Sequence, residues 1–191
     1  MKQPTIVKQP TIMKQSTDII TLDNCLSIEP NSQRYEKNWI PIQYQSEHLD
    51  QSEQSEQSEQ SNQSNETFIY KWNDLCICND NGEYVKRHTI IAPLFNRLKG
   101  STIFCKNGDD NLIGLVHFSD EGEPRRYSHM LVLLDKVDLR PIKYSCPFYF
   151  DTLGIEFCIG FTIVDDEYLF WISRHDREPL LVRIKCMELP L

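Results

Sequence analysis

From Thr67 onward the chain reads as short apolar runs of four to ten residues, each closed by a polar turn, with no stretch of helical periodicity. FIYKW and LCIC, the turn NDNG and EYVKRHTII predict a first meander of three strands. After the loop APLFNRLKG, the runs STIFCK, LIGLVHFS, RRYSHMLVLLD and RPIKYS predict a second set, separated by the turns NGDDN and DEGEP. After CPFYFDTLG, the runs IEFCIGFTIV, YLFWIS and PLLVRI, with the turns DDE and RHDRE, predict a third. Upstream, Trp39, Ile40, Ile42 and Tyr44 form a short strand pattern interrupted by Pro41, which suits a sheet edge because proline cannot donate to a ladder. The expected class is all-β.

The grouping carries more than the class. Second-strand starts at Phe68, Leu112 and Tyr168 are 44 and 56 residues apart, near the recurrence of four-stranded propeller blades. The spacing predicts a partial propeller of about three antiparallel blades. A plain antiparallel sandwich is the alternative, with evenly spaced strands that are not gathered into fours.

The first third of the chain reads differently. KQPTIV, KQPTIM and KQST form a short repeat whose prolines, Pro4 and Pro10, disfavour helix, so residues 1–27 are expected to be a disordered repeat arm. IITLDNCLSI within it offers a weak strand pattern. The propeller domain is expected over 28–191, interrupted at 47–66 by a Gln/Ser/Glu tract with too little apolar surface to offset the entropy of ordering it.

Composition narrows the classes of function. The net charge of −8 divides into −5 before Thr67 and −3 after it, without a basic run, so no nucleic-acid partner is expected. No apolar run reaches the roughly 18 residues of a membrane span, and the N-terminus lacks the apolar core of a secretory signal. A cytoplasmic protein without a membrane partner is the expectation. Seven cysteines, an odd count, lie mostly within strand patterns and read as free thiols. Cys76, Cys78, His88 and Cys105 lack the second ligand pair of a zinc site, so no metal or cofactor is implied.

Six segments belong together: EKNWIPI at 36–42, FIYKW at 68–72, KGSTIF at 99–104, the long block at 112–135, KYSCPFYFDTLGIEFCIGF at 143–161 and ISRHDREPLLVRI at 172–184. Taken together, these segments resemble a family of five-bladed β-propellers related in fold to glycoside hydrolases and phosphorylases acting on arabinosides, fructosides or mannosides. The last two are most similar to propeller domains found alone, or fused to glycosyltransferases, in bacteria and large DNA viruses. By block order the chain resembles the last three blades of five. The related hydrolases draw their catalytic base from the first blade, so the resemblance implies a glycan-related module that is non-catalytic by itself. Such a module is expected to bind a carbohydrate or to support a glycan-processing enzyme, with self-association completing the ring. The alternatives are a glycoside hydrolase or glycan phosphorylase completed by another chain, and a protein-interaction module.

The candidate site residues follow from strand alternation and from the turns. Alternation sets Glu156, Cys158, Gly160 and Thr162 on one face, which would aim the Glu156 carboxyl group into a central channel as an acid or a sugar ligand. The competing role is a structural carboxylate paired with an arginine. His117 and His129, with Arg125, Arg126 and Tyr127, form a second candidate group for a sugar or sugar phosphate, against the reading of satisfied strand histidines. Asp176 and Arg177 complete the set, although such a pair also organises a turn.

Overall fold

The computed structural model describes residues 5–7, 39–42, 67–79, 83–90, 92–120 and 122–191. These residues form thirteen strands and two short 3-10 turns, arranged as three antiparallel sheets met in chain order. The first sheet contains β2 (Ile40–Ile42), β3 (Thr67–Lys71), β4 (Leu75–Asn79) and β5 (Tyr84–His88) in that order. In the second, β6 (Lys99–Gly100), β8 (Asn111–Asp120), β9 (Arg126–Asp135) and β10 (Pro141–Tyr144) follow one another, and β7 (Cys105–Lys106) also pairs with β8. The third runs β11 (Glu156–Val164), β12 (Glu167–Arg174), β13 (Glu178–Lys185) and then β1 (Thr5–Val7).

The all-β expectation holds, and two details depart from it. Thr5–Val7 pairs with Leu181–Arg183, so at these three residues the expected disordered arm is a strand on the outer edge of the last sheet. The other residues of 1–27, the strand pattern IITLDNCLSI and the 47–66 tract lie outside the described residues. Of STIFCK, expected as one strand, only Cys105–Lys106 is strand; residues 101–104 leave the sheet, and a second two-residue strand, Lys99–Gly100, lies just before them. The reason is local: Thr102 turns its Oγ1 to accept a hydrogen bond from the Leu115 amide at 3.0 Å, and Phe104 folds into the core over Gly114.

The middle sheet explains why LIGLV and MLVLL are continuous apolar runs rather than alternating ones. Leu112, Val116, Met130, Val132 and Leu134 pack towards the first sheet, against Ile40, Ile69, Leu75 and Ile77. Ile113, Leu115, Leu131 and Leu133 pack the other way, against Phe161, Phe170, Ile172 and Val182 of the third sheet. A strand buried on both faces needs apolar residues at every position. Two cores result, one on each side of the middle sheet. Burial of a Leu, Ile or Phe side chain contributes about 1.5–3 kcal/mol, so these interlayer contacts are the main stabilising feature.

Candidate functional site

The first strands of the three sheets, β2, β6 and β11, lie at one common edge, where they enclose a cleft of about 380 Å³. Trp39 and Pro41 from the first sheet, Gly100, Ser101 and Ile103 from the second, and Phe157, Ile159, Gly160 and Phe161 with Trp171 from the third form its walls. Trp171 is 42% exposed and lies over Gly160, where an added Cβ would stand 3.2 Å from the indole. Glycine there leaves the ring lying close against the strand.

Ser101 supplies a polar point in this apolar wall. Its Oγ shares a hydrogen bond of 2.7 Å with Nδ1 of His117, which is only 3% exposed. The His117 ring meets Phe157 edge-on at 5.1 Å and Tyr127 at 5.7 Å. The imidazole therefore fixes the serine rotamer from behind the wall, and two aromatic rings fix the imidazole.

His129 is the cross-strand partner of His117, on the face shared with Leu131 and Leu133 as alternation predicts. It is fully buried, 4.8 Å from the Phe150 ring, and neither ring nitrogen has a hydrogen-bond partner. Burial drives its pKa down to about 3, the nearby His117 adds to that, and the Glu156 backbone opposes it only in part. The side chain is neutral and closed off from the cleft.

Glu156 takes the competing, structural role. It is 1% exposed, and its carboxyl oxygens accept hydrogen bonds from the amides of Phe150 (2.8 Å), Asp151 (3.0 Å) and Thr152 (3.2 Å). It ties down the 145–155 connection and is no part of the cleft wall. The partners are amides, not the arginine anticipated for a structural carboxylate. The expected face also changes along the strand. A bulge at Ile159 shifts the register between Cys158 and Gly160, so Glu156 and Cys158 share the core side with Phe161 while Gly160 faces outward beside Trp171.

The remaining candidates lie at the turns. Arg125 and Arg126 are exposed beside the β8–β9 turn, and Asp176 and Arg177 are exposed in the β12–β13 turn. His175 and Asp176 have positive φ values of 54° and 56°, the conformation of a tight hairpin turn. Hydrogen bonds from the Tyr127 amide to the Gly154 carbonyl (2.8 Å) and from the His175 amide to the Ile155 carbonyl (2.7 Å) draw both turns to the 151–155 loop. These four residues thus share one rim of the molecule, separate from the cleft walls. Trp39, Ser101 and Trp171 are cleft residues that alternation and turn chemistry did not single out, although WIPI and KGS carried part of the resemblance.

Cysteine chemistry gains little from the geometry. The six described cysteines are free thiols, and burial pushes Cys158 up to about 12 and Cys105 up to about 11, far from a reactive thiolate. Among the described residues no helix is long and apolar enough to cross a membrane.

Fold and cleft together define an all-β protein of three stacked antiparallel sheets whose inner edges enclose an aromatic cleft. No family model, curated protein or solved structure matches the chain.

Proposed function

We propose that the chain is a partial β-propeller that binds a carbohydrate at the cleft between its inner strands, as a non-catalytic module or as support for a glycan-processing enzyme. Three sheets in series, each contributing its first strand to one edge, support the propeller reading. The observation that carries the function is that Trp39 of the first sheet and Trp171 of the third line one cleft with a hydroxyl held in place by a histidine, Ser101. Indoles offer a flat apolar surface to the CH face of a sugar ring, and one oriented polar group sets the ring's direction. Glu156 engages three amides, which favours binding over acid catalysis by that residue.

The end sheets also have apolar residues on their surfaces outside the clefts: Val85 on the first is 48% exposed and Val164 on the third is 47% exposed. A second copy of the chain is the partner this reading names for them. The cleft is tested by titrating a panel of neutral arabino-, fructo- and manno-oligosaccharides while following tryptophan fluorescence. A ligand is expected whose affinity falls at least about tenfold in Trp171→Ala, as for other aromatic anchors, with little change in melting temperature. A panel without any response, or a variant that binds as well as the wild type, would reject the reading.

A further inference from the structure

A second cleft, of about 560 Å³, also borders Gly100 but opens on the first sheet, against the face opposite Leu75 and Ile77. Its floor follows from strand register. Lys71 on β3, Cys76 on β4 and Arg87 on β5 are consecutive cross-strand partners, so the three side chains form one row on one face. Two strand spacings of about 4.8 Å separate the backbone positions of Lys71 and Arg87. The thiol between them is small and turned aside, its Sγ donating to the Asp74 carbonyl at 2.8 Å. The buried thiol is thus the floor of the row, with a cationic side chain on either side.

Its charge runs against that of the chain. Lys71, Arg87 and Lys99 line the cleft with Asp74 as their one acidic counterpart, a surplus of two positive charges in a protein of net charge −8. Asp74 Oδ2 lies 3.2 Å from Nη2 of Arg87 and orients the guanidinium fork, while the Arg87 side chain stays 69% exposed. Tyr70 and Tyr84, with ring centroids 6.2 Å apart, wall the same cleft. Lys71 Nζ stands 5.4 Å from the Tyr70 ring.

We propose that this cleft binds a phosphorylated sugar, its phosphate held between Lys71 and Arg87 over Cys76 and its ring against Tyr70 and Tyr84. A phosphate monoester carries about −1.5 to −2 at neutral pH, which matches the surplus of two, whereas a carboxylate would leave one cation uncompensated. The oriented guanidinium suits the oxygens of a phosphate, and a tyrosine pair suits the apolar face of a pyranose. The assignment is separate from the neutral-glycan reading of the inner cleft and does not require it.

The test is calorimetric titration of the full chain with glucose 6-phosphate, with glucose and inorganic phosphate as comparison arms. The ester is expected to bind, glucose to give no heat, and inorganic phosphate to bind more weakly than the ester. The Lys71→Gln, Arg87→Gln double variant is expected to lose at least about tenfold in affinity, the scale of a charge-assisted hydrogen bond. Both side chains are exposed, so its melting temperature should match the wild type; Lys143→Gln, on exposed β10, serves as the charge control. Trp171→Ala should leave ester binding intact, which separates failure here from failure of the inner cleft. No binding of the ester at millimolar concentration overturns the proposal. So does equal affinity in the double variant, or inorganic phosphate binding as tightly as the ester.

Discussion

His129 shows how much a single buried polar residue can set. Its imidazole has no hydrogen-bond partner and a pKa of about 3, whereas the unfolded chain would titrate near the ordinary value of about 6.5. As pH falls from about 6.5 towards 3 the unfolded state takes up a proton that the folded state refuses, so stability declines through that window. The slope from this one residue approaches about 1.4 kcal/mol per pH unit. Urea unfolding at pH 7.0, 6.0 and 5.0 should show the decline in wild type and a shallower one in His129→Leu. Equal slopes would place the titration elsewhere. Alternation placed this histidine among leucines correctly, while its missing partners depend on Phe148 and Phe150, which arrive from a loop. The same loop decided the role of Glu156, because amides from three successive residues converge only after the 145–155 connection has folded.

Among the elements, the middle sheet is the least tolerant of change. Its two long strands are buried on both sides, and Gly114 on β8 lies directly beneath Phe104. A Cβ at Gly114 would stand 2.6 Å from that ring, which is itself 4% exposed and has little room to retreat. Gly114→Ala is therefore expected to destabilise the fold by about 1–3 kcal/mol, the range for overpacking a core, and a lower midpoint in urea would register it. An unchanged midpoint would mean that Phe104 moves freely. Strand positions and turns were legible because they depend on local alternation and on residues such as Asp165 and Asp166, whose φ values of 49° and 62° make the β11–β12 turn. The bulge at Ile159 was not legible, since a slip between strands leaves no mark in either strand's own pattern.

At the level of the whole molecule, three sheets stacked in series leave one face of the first and one face of the last without a covering sheet among the described residues. Self-association is the expected consequence under the propeller reading, because exposed Val85 and Val164 lie on those two end sheets, outside both clefts. Light scattering on the full chain should give twice the chain mass, with a melting temperature that rises with concentration. A monomer that unfolds cooperatively would show that three sheets suffice, and would remove the second copy from the account.

The sequence by itself determined the all-β class, the place of nearly every strand and turn after Thr67, and the apolar continuity of β8 and β9, because each follows from side-chain period and turn chemistry within a few residues. Only the tertiary structure decided where chemistry is available. It set Glu156 under loop amides, joined Trp39, Ser101 and Trp171 across more than 130 residues of chain, and aligned Lys71, Cys76 and Arg87 in one row. The physical reason is register and packing: which residues become neighbours depends on how separate strands align and which loops close over them, and no local pattern encodes either.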